Sequence, residues 1–398
     1  MTERIFHVFA ALLLFAAAAS AQTTATAGSN LTVQQVLAAL ITNQGVQTSD
    51  FEKDREAAEA TRATLTRALL SSVATLPVSS SSSGFSYRLN PALGTAERAS
   101  DTFGPFYIER AVTAGAKQAS VGFTLQYASF TSLDGNDLRD GSFITTANRF
   151  ADETQPFDTE ALTLDVTTRT ATFFANFGVN DRVDIGGAVP IVRLDVHGSS
   201  LNTYRGRPLL KTTGVAERVG LADVAVRSKV RLTSDGPGAV AAAVEARLPT
   251  GREEDLLGAG TMALRFQGLA SYEAGSASVH GNFTLGTGGI GREVSYGGAV
   301  AVAATPRLTV VGEFLARRIA GLQHVTTITA PHPRLRGVTT TRLTPSGEDE
   351  ITAFTDAGVK WNLSGAWLLH AHVLMPLSDN GLTARFTPTL AMDYSFAR

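Results

Sequence analysis

Two histidines near the end of the chain are the residues whose type and spacing most readily suggest chemistry. His370 and His372 lie two positions apart, so in a strand both side chains point to the same face. Such a pair could bind a metal ion or serve as a general base. No third ligand is evident beyond Asp356 as a possible neighbour. We interpret the pair as solvated, and we predict no catalytic residue, no metal site and no cofactor.

A second cluster with chemical potential is acidic. It consists of Asp134, Asn136, Asp137 and Asp140. Oxygen ligands at alternate positions suit Ca²⁺, but the glycine position and the missing bidentate glutamate do not fit an EF-hand. The cluster therefore favours a plain turn or a contact with lipid headgroups. The chain contains no nucleophile elbow, phosphate loop or dinucleotide fingerprint.

Composition excludes several classes of protein. The chain has 398 residues, of which 18% are charged and none is cysteine, so disulfides, thiolate catalysis and cysteine metal sites are ruled out. The net charge of -2 gives no reason to expect nucleic acid as a partner.

Residues 1–21 are predicted to be a signal peptide. Arg4 supplies the positive start, the apolar run from Phe9 to Ala19 is too short to span a bilayer, and Ala19–Ala21 fits the cleavage pattern. A retained membrane anchor is the alternative. An exported chain without a spanning helix can still cross a membrane as a closed barrel.

Residues 22–78 are predicted to be helical. Thr32 and Gln35 form a capping box before an apolar run, and a longer helix follows. Residues 79–117 are a linker and an irregular segment. We expect the helical segment to be a plug or a periplasmic cap, with a plug region at Asn90, Pro91 and Ala92.

From residue 118 to 398 the pattern changes to a period of two, which predicts strands. The segments start near 118 and continue at 160–178, 182–197, 220–232, 238–249, 261–274, 276–287, 292–304, 307–320, 349–363, 366–378 and 382–396. Short links alternate with long ones at 131–159, 198–219, 249–260 and 321–348. Long outer loops and short periplasmic turns are typical of outer-membrane barrels. The predicted fold is therefore all-β: a transmembrane antiparallel β-barrel of about twelve strands with an N-terminal α-helical segment.

The last segment carries the strongest single pattern. From Phe386 to Phe396, apolar or aromatic residues alternate with small or polar ones, as in a lipid-facing strand. Tyr394 and Phe396 resemble the signal that the outer-membrane insertion machinery recognises, although Ala397 and Arg398 follow them.

Charges predict which face points inward, because an Arg or Lys facing mid-bilayer lipid costs ~2–4 kcal/mol. Closing the hairpin at 233–237 would place Asp223 opposite Arg247. The residues predicted to line the lumen are Asp223, Arg227, Lys229, Arg231, Glu245, Arg247, Arg265, His280, Glu313, Arg317, Asp356, Lys360, His370, His372, Arg385 and Asp393.

Two patterns in the sequence allow more than one interpretation. In 160–178, Leu162 and Leu164 share one parity and Phe173 and Phe177 the other, so a bulge or a strand that extends beyond the membrane is expected. Small inward residues are expected to leave room for the helical segment or a solute. They are Gly297, Ala299, Ala301, Ala239, Ala241 and Ala243.

Three stretches resemble a known family. They are 176–190, 220–224 and 248–251, and they are similar to the "MetA-pathway of phenol degradation" group of outer-membrane barrels. The resemblance implies an outer-membrane transporter for aromatic compounds. We therefore expect a passive channel for small, hydrophobic or aromatic molecules, with lipid, the insertion machinery and the solute as partners. The alternatives are a lipid-acting outer-membrane enzyme and a structural or adhesive barrel that works through its loops.

Overall fold

The computed structural model describes residues 31–42, 54–74, 87–90, 95–98, 100–233 and 236–396. The signal peptide, Pro91 and Ala92 lie outside these residues, and at Asn90 only the backbone is described. None of the helices in this part of the chain is long and apolar enough to cross a membrane.

Helices α1 (Val33–Thr42) and α2 (Arg55–Ala74) precede the sheet. The capping box at the start of α1 is formed: Gln35 N donates to Thr32 Oγ1 (3.2 Å), and Thr32 N donates to Gln35 Oε1 (2.8 Å). Asp54 caps α2 by accepting a hydrogen bond from Ala57 N (3.1 Å). A small hairpin of β1 (Tyr87–Asn90) and β2 (Thr95–Arg98) follows.

Within the described residues, twelve antiparallel strands close into one barrel, which confirms the predicted fold class. The strands are β3 (Ala119–Leu133), β6 (Asp158–Gly178), β7 (Val183–Tyr204), β9 (Val224–Arg231), β10 (Gly238–Leu248), β11 (Ala263–Ala274), β12 (Ala277–Gly288), β13 (Arg292–Thr305), β14 (Leu308–Pro331), β15 (Val338–Ser364), β16 (Trp367–Pro376) and β18 (Thr387–Phe396). Closure occurs at β3, which pairs with β6 on one side and with β18 on the other.

Additional strands extend the wall at its outer end, the end away from the short turns. They are β4 (Asn136–Asp137), β5 (Ile144–Phe150), β8 (Arg207–Leu221) and β17 (Leu382–Ala384). β8 precedes β9 and pairs with the outer half of β7. The prediction of loops at 198–219 and 321–348 was wrong, because most of both stretches continues the ladders of β7 with β8 and of β14 with β15.

The hydrophobic core lies inside the outer end of the barrel, which we call the funnel. Inward residues of β6 and β7, such as Leu164 and Leu194, pack against Leu37 and Leu40 of α1 and Leu69 of α2. The helices therefore lie at the end opposite the short turns, inside the wall that the long hairpins form.

The parity of β6 does not change along its length. Leu162, Leu164 and Val166 are buried inside, while Phe173 and Phe177 are exposed outside. The open alternative of a bulge is therefore wrong in this strand. The strand extends beyond the membrane instead.

The barrel wall is higher on one side than on the other. The ladder of β13 with β14 ends at Arg292 and Ala320, whereas that of β14 with β15 continues to Pro331 and Thr339. The mouth is consequently lowest along β10–β13.

Candidate functional site in the barrel lumen

Residues 100–118, the plug segment, fill the periplasmic half of the lumen. The segment starts at the periplasmic rim, where Thr102 Oγ1 lies 2.8 Å from Ser278 Oγ and Ser100 Oγ donates to Glu273 Oε2 (2.6 Å). It returns to the same rim, where Lys117 N donates to Gly178 O (2.7 Å) just before β3. The segment is therefore a loop that enters and leaves by the same end.

Glu313 on β14 holds the inner tip of this loop. Its carboxylate accepts hydrogen bonds from the backbone N–H groups of Phe106, Tyr107 (3.0 Å) and Ile108 (3.0 Å). The side chain is 3% exposed, and charge-assisted bonds are the stronger kind.

The histidine pair also contacts the plug segment. The ring of Phe106 stacks on His372 with centroids 4.0 Å apart, and Lys360 Nζ lies 4.8 Å from the Phe106 centroid. Lys360 Nζ also donates to Pro105 O (2.8 Å). The two histidines sit beside different carboxylates, at 3.0 Å for His370 with Asp393 and 2.9 Å for His372 with Asp356. The pair is thus buried against the plug rather than solvated.

The other side of the plug segment is held by cations. Glu109 contacts Arg227 (2.5 Å) and Lys229 (3.2 Å). Lys229 Nζ also donates to the carbonyls of Arg110 (3.1 Å) and Val112 (2.9 Å). Both carboxylate oxygens of Glu109 and the carbonyls of Arg110 and Val112 thereby accept hydrogen bonds from side chains of β9.

Glu245 on β10 is the centre of an inward charge network. It contacts Arg227, Arg247 (3.1 Å) and Arg265 (3.3 Å), and Arg265 continues to Glu293 (2.6 Å). The predicted hairpin register was wrong by two residues: Arg227 lies opposite Glu245 and Ala225 opposite Arg247. The turn is longer than 233–237, since Leu232 N bonds to Val240 O.

Above the plug segment lies a cavity of about 120 Å³, the arginine chamber. Its charged lining among the described residues is Arg227, Arg247, Arg265, Arg317, Glu245 and Glu293. Tyr107, Ile108, Leu315 and Phe354 form an apolar wall. A wider cleft of about 590 Å³ lies at the low side of the mouth, between α2 and the connections around Glu253 and Gly289.

The small inward residues accommodate the plug segment. Ala239, Ala241 and Ala243 pack with Ala111, and a side chain at Gly297 would meet Ile108 Cδ1 at 2.6 Å. Ala301 packs with Phe106 and Tyr107.

Other predicted lumen residues have separate roles. Asp223 accepts hydrogen bonds from Gly251 N (3.1 Å) and Ala259 N (2.8 Å), which fixes the connection after β10. His280 lies between Ser271 (2.8 Å) and Ser278 (2.9 Å). Arg231 is half-buried on the inward face of β9.

The prediction that Arg385 lines the lumen was wrong. The residue is exposed at the break between β17 and β18, where the strand alternation is interrupted, so it does not belong to the buried lumen set. Farther along the same strand, Tyr394 packs against Trp367 (4.8 Å) and Phe396 (4.7 Å) near the periplasmic turn, the height at which amphipathic rings settle.

The acidic cluster of the first outer connection is satisfied by protein groups. Asp134 accepts hydrogen bonds from Val325 N (2.6 Å) and Gly381 N (2.7 Å). Hydrogen bonds from Ser142 lower the pKa of Asp140. Across the described ranges, no His, Asp and Glu side chains group as a metal site would require.

Sequence reasoning missed Asp184, Glu109 and Glu293 as lumen residues. Asp184 lies 3.4 Å from Lys229 and accepts a hydrogen bond from Ala114 N (3.0 Å). Glu293 shares the parity of Gly297 on β13, which was predicted to face inward, so strand parity could have found it. No such signal exists for Glu109, which lies in irregular backbone.

The fold and its apolar exterior define an outer-membrane β-barrel. Phe173, Phe266, Val279, Phe283 and Val310 are exposed on the outside, and a closed barrel with such a belt is built for lipid. The location is therefore the bacterial outer membrane.

The chain is similar to several solved structures. The COG4313 outer membrane channel from Pseudomonas putida F1 is 11% identical, with 72% of this chain and 98% of that chain covered and a TM-score of 0.46. The KdgM porin is 6% identical, with 70% and 99% covered and a TM-score of 0.38. The NanC porin is 6% identical over the same shares, with a TM-score of 0.35.

Other comparisons give no relative. No protein-family model and no curated protein match the chain. The resemblance to the MetA-pathway group thus stays a prediction.

Proposed function

We propose that this chain is an outer-membrane channel through which small molecules pass passively, and that the plug segment narrows its resting state. The observation that carries the proposal is the arginine chamber, a cavity with charged walls inside the lumen. The plug segment beneath it is held by hydrogen bonds and ion pairs with Glu313, Arg227 and Lys229. Such contacts can exchange for water without breaking a covalent bond.

The low side of the mouth gives the solute its route. The cleft between α2 and Gly289 lies above the strands β10–β13, and the same strands carry Arg247, Arg265 and Glu293 of the chamber. A small molecule entering there meets the chamber before it meets the plug segment. The resemblance favours hydrophobic or aromatic solutes, and Phe354 and Tyr107 supply an aromatic surface for them.

The lipid-acting enzyme has less support. Such an enzyme needs a histidine and a nucleophile at the lipid boundary. His280, His370 and His372 are instead buried inside the lumen, at 2%, 3% and 4% exposure, and His372 lies under Phe106.

A disulfide lock tests the channel. Because the chain contains no cysteine, the pair Thr102→Cys and Ser278→Cys would introduce one crosslink between hydroxyl positions 2.8 Å apart. We expect the reduced protein to admit small sugars into vesicles, and oxidation to slow this uptake reversibly. Thr102→Cys alone is the control and should not respond to oxidant.

Two other outcomes would contradict the proposal. If no solute enters through the reduced protein, the chain is not a passive channel, and the structural or adhesive alternative is favoured. If uptake is equal in both redox states, the plug segment is a fixed part of the pore wall.

A further inference from the structure

The arginine chamber is richer in cationic than in anionic side chains. Among the described residues that line it, Arg227, Arg247, Arg265 and Arg317 face Glu245 and Glu293, an excess of two positive charges. Glu109 also contacts Arg227, but from the plug side. A cavity with this lining attracts anions and repels cations.

Arg247 has donors to offer a ligand. Its Nε donates to Glu245 Oε1 (3.1 Å), while the terminal nitrogens of its guanidinium have no hydrogen-bond partner among the described residues. Arg265, by contrast, uses Nε and both terminal nitrogens on Glu245 and Glu293. Guanidinium groups bind carboxylates through parallel hydrogen bonds, so Arg247 is suited to a carboxylate.

The opposite wall is apolar. Ile108 and Tyr107 of the plug segment, with Leu315 and Phe354 of the barrel, close this side. Leu315 and Phe354 pack onto the cluster that contains Phe106 and Leu374, so this surface is formed while the plug segment is in place. A ligand that fits both walls carries an anionic group at one end and an apolar body at the other.

We propose that the arginine chamber binds small organic carboxylates with an apolar body. The carboxylate lies on the terminal nitrogens of Arg247, and the body lies against Phe354 and Ile108. This inference rests on the proposed channel function, because the chamber selects a solute only if it lies on the solute's path. The binding itself can be measured without transport.

Calorimetric titration of the full chain in detergent tests the site with benzoate and with benzyl alcohol, which has the same ring without the charge. We expect benzoate to bind at least about tenfold more tightly, because its carboxylate accepts charge-assisted hydrogen bonds that the neutral hydroxyl of benzyl alcohol cannot match. Arg247→Gln should weaken benzoate binding by about tenfold and leave benzyl alcohol unchanged. Glu245 keeps Arg227 and Arg265 in this variant.

Two further variants make the test decisive. Arg247→Lys keeps the charge without the planar fork, so its affinity should fall between those of the wild type and Arg247→Gln. Arg307→Gln removes a charge from an exposed periplasmic turn and should change nothing. The folded state of each variant is checked by comparing the electrophoretic mobility of heated and unheated samples.

Equal binding of the two probes, or unchanged benzoate affinity in Arg247→Gln, would overturn the inference. Sugar uptake into vesicles would then still support the channel. Conversely, tight benzoate binding by a protein that admits no sugar would keep the site and reject the channel.

Discussion

Along β6 the inner and outer faces exchange their chemistry while the strand keeps a single parity. In the funnel, the inward Leu164 is 1% exposed and the outward Arg169 contacts Asp195 (3.2 Å). In the membrane-spanning half, the inward face carries Thr172 and Asn176, and the outward Phe173 is 49% exposed. The same strand therefore contributes to two regions. The funnel has an apolar interior and a polar exterior, whereas the membrane-spanning half has a polar interior and an apolar exterior.

The comparison teaches that the surroundings, not the backbone, decide which face must be apolar. Hydrocarbon surrounds the lower half, so its outer face gains by being apolar. Water surrounds the funnel, where α1 and α2 supply the apolar partner inside. The three predictions below test this division.

The largest effect is expected at the centre of the lumen network. Glu245→Gln leaves Arg227, Arg247 and Arg265 without their shared anion, and breaking a buried ion pair costs about 3–5 kcal/mol. Unfolding of the barrel by guanidinium in vesicles measures this loss in the free energy of unfolding. The matched control is Glu217→Gln on the outside of the funnel, where the pair with Arg193 (3.1 Å) is solvated and should contribute about 1 kcal/mol or less. Equal losses would contradict the division.

A smaller difference is expected between two positions of β7. Leu194 is 0% exposed in the funnel core, so Leu194→Ala should lower the free energy of unfolding by about 2–5 kcal/mol through the cavity it leaves. Ile185→Ala on the lipid-facing surface should cost less, because lipid chains fill the space. The same unfolding assay compares them, and a larger loss at Ile185 would be inconsistent with a lipid-covered surface.

The smallest contrast lies on the outer face of β6 itself. Phe173→Arg places a charge against hydrocarbon and should cost ~2–4 kcal/mol. Arg169→Phe, four residues nearer the outer end of the same face, loses only a solvated ion pair and should cost about 1 kcal/mol or less. Unfolding in vesicles again measures the loss of stability in both variants. If Arg169→Phe were costly and Phe173→Arg tolerated, the membrane boundary on β6 would not lie between these two residues.

Strand parity predicted most of the barrel because lipid and water impose opposite demands on adjacent residues. β10 was predicted to within one residue, and so was the end of β9, because Arg227, Lys229 and Glu245 place charges on only one face of the alternating pattern. The start of β9 was predicted four residues too early, since β9 begins at Val224 and Leu221 still belongs to β8. The funnel extensions of β7 and β14 were missed because water lies outside them and no apolar alternation marks the outer face.

The site was less predictable for a different reason. Glu313 meets Phe106, Tyr107 and Ile108 across about half of the chain, and no periodicity connects two segments so far apart. Likewise, the register of β9 with β10 depends on the turn around Leu232, whose length the alternating pattern does not define. The prediction for Arg385 failed because the chain leaves the strand between Ala384 and Thr387, and parity assigns faces only within a continuous strand.

The change from apolar to charged residues on the outer face also sets how deep the barrel lies in the bilayer. Arg169, Arg193 and Arg318 stand on the outer surface of three different strands, each just above the apolar part of its strand. Sinking farther would drag these cations into hydrocarbon, and rising would expose the rings of Phe173 and Phe314 to water. The side chains of the barrel wall thus define how deep the barrel lies in the membrane.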